Sequence, residues 1–472
     1  MSDLFIPFDN SYAALPDGFS AKARPAQASN PEMIIFNHDL AAELGIQNTD
    51  GDLAEVFSGT EIPMGADPIA QLYAGHQFGH FNQQLGDGRA HLLGEVVDAQ
   101  GQRFDIQLKG SGQTPFSRSG DGKAWLGPVL REYVVSEAMH ALGIPTTRAL
   151  AAVATGDPVY RDDLMPGAVF TRVAASHIRV GTFQVFAARR QYDHLKTLFD
   201  YTRNRHYPEA ETPLEFLNAV IDAQAKLIAK WMGVGFIHGV MNTDNCQIAG
   251  QTIDYGPCAF MDSYHPMTVY SSIDRQGRYA YANQADIIVW NMAQLATSLV
   301  PLLEDQDKAV EDFTKAVHAM PQRVQSEWTK VFAAKIGITE AEPEDEALIK
   351  SLLSLMAEHE ADFTNCFAGL RNGTAAEAFA SPSAFAAWES QWSKRIGSLS
   401  DVEKTLKSAN PMLIPRNHQI EAMIQSAVAG DYSKVHRLNT AYATPYDMDD
   451  QYSDLTHPPK PDEVVQATFC GT

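Results

Sequence analysis

Apolar positions along this chain change their period twice, and the changes divide it. Residues 1–65 mix turn formers with one short helical stretch near Asn37–Leu44. Between Gln71 and Leu150 glycine becomes dense, and short runs of strand type appear at His91–Val97 and Phe104–Leu108. After Gly127-Pro128, apolar residues at Val129, Leu130, Tyr133, Val134, Ala138, Met139 and Leu142 predict a helix. It stops at Gly143, with Pro145 just beyond. From Thr212 the helical period dominates: Leu214, Leu217, Ile221, Ala225, Ile228 and Trp231 recur at three- and four-residue steps. A polar loop, His238–Asn245, follows. Residues 247–253 then read as a small hairpin running into Asp254. A second long apolar helix is expected over about Ala285–Leu303, and helical stretches continue to about Ala429. The last forty residues, rich in Pro, Tyr and Asp, read as an extended tail. The pattern predicts an α+β chain, β-rich first and helical after, with no internal repeat of 20–50 residues.

Composition narrows the class. Of 472 residues 45% are apolar and 20% charged, which excludes a disordered, collagen-like or coiled-coil chain. Thirty-six Lys and Arg against 58 Asp and Glu give a net charge of −22. So acidic a chain is a poor general binder of nucleic acid or anionic membrane, and any anionic ligand must meet a local basic cluster. Four cysteines (Cys246, Cys258, Cys366, Cys470) are too few and too scattered for a disulfide scaffold or a tetrathiolate zinc site. No window approaches the roughly 20 apolar residues of a membrane helix, and Met1–Tyr12 lacks the pattern of a secretory signal. A soluble, cytoplasmic protein with no nucleic-acid or membrane partner is expected.

Four glycine-rich or basic sets could supply that cluster. Leu85-Gly86-Asp87-Gly88-Arg89 can bring backbone N–H groups to a phosphate. Lys109 closes an apolar strand beside Gly110-Ser111-Gly112. Glu132 or Glu137 on the following helix could pair with it, and spacing does not choose between them. Ser119-Gly120-Asp121-Gly122-Lys123 is again glycine-spaced. Arg172 and Arg179, seven apart, share a face if Thr171–Arg179 is helical, and their forks suit phosphate oxygens. Taken singly, each set also reads as a tight turn or ordinary surface charge.

The strongest set is His238-Gly239-Val240-Met241-Asn242-Thr243-Asp244-Asn245 with Asp254-Tyr255-Gly256-Pro257. A carboxamide and a second carboxylate around a short turn are what Mg²⁺ on a triphosphate needs. Asn245 and Asp254 are the expected metal ligands, which leaves Asp244 to accept a proton from an attacking hydroxyl. His76 and His80, four apart, lack a third zinc ligand and read as structural histidines.

In order, these parts resemble those of a protein kinase, with Asp254-Tyr255-Gly256 in place of Asp-Phe-Gly. There is no His-Arg-Asp, however, and Asp244 and Asn245 are adjacent where kinases separate them. The fuller resemblance is to the selenoprotein O (SelO/YdiU) family. It is carried by Tyr73–Gly79, Gln84–Arg89, Leu108–Gly112, Gly120–Ala124, Arg172 with Arg179, His238–Asn245 and Asp254–Pro257. Asn410-Pro411 with Arg416-Asn417 extends it into the last quarter.

The resemblance implies a two-lobed, protein-kinase-like fold. Residues 1–65 would be an N-terminal extension, 66–175 a β-rich N-lobe, 176–430 a helical C-lobe and 431–472 a C-terminal tail. It implies transfer of AMP from ATP to Ser, Thr or Tyr hydroxyls of proteins with release of pyrophosphate; UMP transfer from UTP is also ascribed to members. A kinase transferring the γ-phosphate and a non-catalytic ATP-binding pseudokinase are the alternatives. Carried over by motif, Gly86, Gly88, Arg89, Lys109, Asp121, Gly122, Arg172, Arg179 and Asp254 bind nucleotide, and Glu132 pairs with Lys109. Asn245 and Asp254 hold Mg²⁺ or Mn²⁺, and Asp244 is the base. A monomer acting on protein substrates is expected. Members end in selenocysteine or cysteine, here Cys470, which in some bridges to an internal cysteine. Cys258 is the candidate partner, a free buried thiol the alternative.

Overall fold

The computed structural model describes residues 4–161 and 163–469. Its first part is built from β1 (Ser20–Lys22), β2 (Glu32–Phe36), α1 (His38–Glu43), α2 (Ala54–Phe57) and β3 (Ile69–Gln71). Then come the hairpin β4 (Gly75–Gln77) and β5 (His80–Asn82), β6 (Ala90–Val97), β7 (Arg103–Lys109), β8 (Ala124–Trp125), α3 (Leu126–Ala141), β9 (Arg148–Tyr160) and β10 (Leu164–Ala174). The main sheet is antiparallel in the order β1-β3-β6-β7-β10-β9-β2, with β8 added against β10.

Alternation along β7 explains how this sheet makes a site. Ile106 and Leu108 point to one face, where they pack with Leu93, Val96, Val153, Val169 and Val173 and with apolar residues of α1 and α2. Asp105, Gln107 and Lys109 therefore share the other face. Gln107 stands opposite Arg172 of β10 and Lys109 opposite Phe170. Helix α3 covers that face, packing Leu130, Val134 and Ala138 with Ala149, Ala152 and Phe170. Polar groups placed under a helix must find partners there.

The remainder is mainly helical: α4 (Val180–Ala188), α5 (Tyr192–His206), α6 (Pro213–Gly233), α7 (Gln284–Leu299), α8 (Gln306–Lys335), α9 (Pro343–Glu358), α10 (Phe363–Gly369), α11 (Ala386–Ile396), α12 (Val402–Ala409), α13 (Asn417–Val428) and α14 (Ser433–Tyr442). Thr212 and Glu215 form a capping box at the start of α6, with Pro213 in the first turn. The pair β11 (Phe236–Ile237) and β12 (Ala259–Phe260) brackets a loop that carries Asp244, Asn245 and Asp254.

Four local expectations are corrected. Arg172 and Arg179 do not share a helix: Arg172 lies on β10, and Arg179 is the extended residue that caps α4. Residues 247–253 close a turn, with the Gly250 N–H on Gln247 O at 3.1 Å, but form no hairpin of their own. Gln247 bridges to Arg179 and Thr252 to Thr146, because these partners offer the segment's backbone groups a ladder outside itself. The tail is not wholly extended, since α14 and the 3₁₀ turn Asp450–Thr456 fall within it. Gln284–Leu302 is long and apolar enough by composition to cross a membrane. It packs against α4, α6 and α8 and buries Ile287, Ile288, Met292, Leu295 and Leu299, as a core helix does.

Helix α5 is bolted to the sheet by charge. Buried Arg205 reaches Glu95 at 2.7 Å and Asp105 at 2.7 Å, and Asp105 also accepts from the His177 backbone and ring at 2.9 Å. Burial alone would raise the Asp105 carboxyl, but Arg205 and His177 beside it hold it below the usual range. Replacing Arg205 by Ala removes the nearest cation from two buried carboxylates. Denaturant unfolding of Arg205→Ala should show a loss of about 3–5 kcal/mol; an unchanged midpoint would mean the network carries no stability.

Candidate active site

A cavity of about 600 Å³ opens between the sheet and the helical part, lined by Gly86, Gly88, Arg89, Lys109, Asp121, Gly122, Arg172, Arg179, Asp244 and Asp254 among others. A smaller one of about 70 Å³ adjoins it and contains Asn245 and Glu132, with Arg89, Lys109 and Asp254 common to both. Strand β7 ends at the cavity with Lys109, whose ammonium meets Glu132 of α3 at 2.6 Å and also pairs with Asp254. Glu137 is engaged elsewhere, with Arg148 at 2.9 Å and Asn37 at 2.9 Å, so the geometry selects Glu132. Arg172 reaches Asp254 at 3.0 Å and Glu132 at 3.2 Å. Both cations meet the same oxygen of Asp254, Oδ1, and Oδ2 accepts no hydrogen bond among the described residues. Burial would raise this carboxyl, yet Lys109, Arg172 and Arg179 hold it well below the ordinary carboxylate range. It stays anionic.

Asp244 has the opposite environment. Its loop is clasped by the β4–β5 hairpin, where the His76 N–H donates to Thr243 Oγ1 at 2.7 Å and the Phe78 N–H to Asn242 Oδ1 at 3.0 Å. Gly75 is required by close approach, since a Cβ there would sit 2.5 Å from Asp244 Oδ1. That oxygen is buried and has no hydrogen-bond partner among the described residues, while Oδ2 accepts from Gln77 Nε2 at 3.3 Å. Burial pushes the Asp244 carboxyl up to about 6, against the lowering effect of its own backbone N–H, of Arg179 and of the Gln77 bond. A carboxylate so placed is suited to take up a proton near neutral pH.

The donors also fit a hard divalent cation. Asn245 commits Nδ2 to Val240 O at 3.0 Å, which leaves its carbonyl oxygen available. Oδ2 of Asp254 is the second uncommitted oxygen beside the same small cavity. Two protein oxygens with room for phosphate and water suit Mg²⁺ or Mn²⁺ better than zinc. Among the described residues no cluster of three or more His, Cys, Asp or Glu offers an alternative metal site.

Residues 4–443 match the family described as protein adenylyltransferase SelO. The chain belongs to this family. Membership makes it an enzyme of nucleotidyl transfer to protein. It is similar to a protein nucleotidyltransferase YdiU of Ruegeria pomeroyi, 60% identical over 468 residues and 99% of both chains. A second, from a Ruegeria species, is 59% identical over 99% of this chain and 100% of its own. A third, from Roseobacter denitrificans, is 58% identical over 99% of both.

Within this member of the SelO family, the glycine loop sits as a turn before β6. Gly86 has φ +82°, and a Cβ there would strike the Phe116 ring at 2.5 Å. Asp121 lies at the cavity mouth, held by Arg161 at 2.9 Å and 3.2 Å and capping the Lys123 N–H at 3.0 Å. Asp87, Tyr73 and Gln77 stand inside motifs legible in the sequence but carry no assigned role there, and Gln107 and Arg161 are new. The alternation Asp105-Gln107-Lys109 against Ile106-Leu108 was the signal for Gln107, and nothing local marks Arg161. Asn410-Pro411 and Arg416-Asn417 lie outside the cavity. Asn417 accepts from Arg131 of α3 at 2.7 Å, and Arg131 also donates to Cys258 O at 2.5 Å, which ties α13 to the Asp254 loop. The His76 ring accepts from or donates to Gln184 at 2.8 Å and packs on Phe81 and Trp290, as a structural histidine does. Cys246, Cys258 and Cys366 are buried free thiols, and Cys470 lies outside the described residues.

Proposed function

We propose that this chain transfers AMP from ATP to a Ser, Thr or Tyr hydroxyl of a protein substrate. Its fold on this reading is kinase-like, with lobes over 66–175 and 176–430 flanked by extensions 1–65 and 431–472, and it acts as a monomer. The observation that carries the reading is the contrast of the two carboxylates on one cavity: Asp254 held anionic among three cations, and Asp244 raised to about 6 with one oxygen unpartnered. Lys109, Arg89, Arg172 and Arg179 receive the triphosphate, aided by the glycine turns at Gly86, Gly88 and Gly122, and Asp121 in the same lining binds the nucleotide away from its phosphates. Asn245 and Asp254 hold Mg²⁺ or Mn²⁺, which supplies charge neutralisation at the phosphates. The acceptor oxygen forms a bond to the α-phosphorus, and its proton passes to the Asp244 carboxylate. The bond from that phosphorus to the bridging oxygen breaks, and pyrophosphate departs.

ATP labelled separately at the α- and γ-phosphates tests this directly. With a mixed protein extract as acceptor, label from the α position alone should remain on protein, and a chelator should abolish it. Retention of γ label would make the enzyme a kinase. Binding of ATP with no label transferred and no pyrophosphate released would make it a non-catalytic nucleotide binder.

A further inference from the structure

Arg172 and Arg179 come from different elements and do not touch, yet both guanidiniums are almost wholly buried and face one cavity. We propose that Asp87 and Gln107 are positioning residues that lock these two arginines into a single phosphate-binding unit. The inference rests on the nucleotide-binding reading of the cavity.

A chain of bonds runs between the arginines. Arg172 donates from one terminal nitrogen to Gln107 Oε1 at 2.7 Å, across the β10–β7 register that sets the two residues opposite each other. Gln107 Nε2 donates in turn to Asp87 Oδ2 at 3.0 Å, and Asp87 Oδ1 pairs with Arg179 at 3.4 Å. A carboxamide can span this gap in one orientation only, with its oxygen toward the cation and its nitrogen toward the carboxylate. Asp87 is held from behind by the Gln71 N–H at 3.2 Å, and Arg179 lies over the Tyr73 ring, 4.3 Å from its centroid. Asp87, Glu132 and Asp254 balance Lys109, Arg172 and Arg179 one for one. The bridge thus places two fixed forks at one spacing, and a polyphosphate can meet both without reorganising either.

The test is the affinity of a non-hydrolysable ATP analogue for the full chain, measured by calorimetry beside thermal unfolding. Gln107→Leu and Asp87→Glu, which keeps the charge but displaces the carboxylate, should each weaken binding about tenfold, the cost of loosening a hydrogen bond to a charged group. Because either change breaks the same bridge, the double variant should also lose about tenfold. A loss near a hundredfold would mean independent effects and overturn the proposal, as would unchanged affinity in either single variant. Should Gln107→Leu fail to fold, Gln107→Glu keeps the size and sets a carboxylate against Asp87; it should show the same tenfold loss, and unaltered binding overturns the bridge. If the unmutated chain does not bind the analogue at all, the nucleotide reading fails instead.

Discussion

Asp254→Asn should leave nucleotide binding intact or tighter and reduce transfer by at least about a thousandfold, roughly 4 kcal/mol of transition-state stabilisation. Two effects of opposite sign produce this split. Asp254 accepts from both Lys109 and Arg172. Neutralising it leaves Glu132 and Asp87 as the ion-pair partners of Lys109, Arg172 and Arg179 among the described residues, so the pocket gains one positive charge and holds an anionic tail at least as well. The same change removes one of the two oxygens that suit a divalent cation. Asn is the cleaner replacement than Ala, because position 254 has φ +66°, a left-handed conformation that Asn tolerates and Ala resists. The measurement is analogue affinity beside the initial rate of α-label incorporation. Parallel losses in both would make Asp254 part of the nucleotide grip alone, and an unchanged rate would remove it from the site.

What the sequence reveals of such a pocket depends on how local its construction is. Helices α3 and α6 were legible because their apolar residues follow one period and their ends carry Pro and Gly. The strands β6 and β7 were legible as apolar runs. The loop of Asp244 and Asn245 was recognised from residue type and spacing, since a catalytic turn concentrates its chemistry within a few positions. The choice of Glu132 over Glu137 was not legible. Both are helical and a turn and a half apart, and only the docking of α3 on the sheet, with Arg148 waiting for Glu137, separates them. Arg172 and Arg179 were grouped correctly in space for the wrong reason: sheet register and the cap of α4 bring them to the cavity, not a shared helix face. The roles of Asp87 and Gln107 were missed because a buried polar bridge is long-range by construction, and pairing across strands leaves no periodic trace at either residue. The supposed hairpin over 247–253 failed for the same reason, as its partners lie 68 and 106 residues upstream, at Arg179 and Thr146.

Asp244→Asn isolates the proton transfer. Asp244 makes no ion pair among the described residues, and the Gln77 amide that contacts Oδ2 can meet an asparagine oxygen equally well, so the fold and the analogue affinity should not change. The rate at saturating ATP should fall by about a hundredfold to ten-thousandfold, the range for losing a positioned general base. KM for ATP should stay put, because in the proposed role the residue acts on the acceptor hydroxyl and not on the triphosphate. Such a split separates the two neighbours in the loop: a metal ligand lost at Asn245 would make the rate depend on cation concentration, whereas a base lost at Asp244 would leave that dependence alone. Cation titrations of Asp244→Asn and Asn245→Ala, read side by side by α-label incorporation, therefore test the assignment of each. If Asp244→Asn instead shifts the cation dependence and Asn245→Ala does not, the roles are reversed. If Asp244→Asn keeps its full rate, the proton leaves by another route.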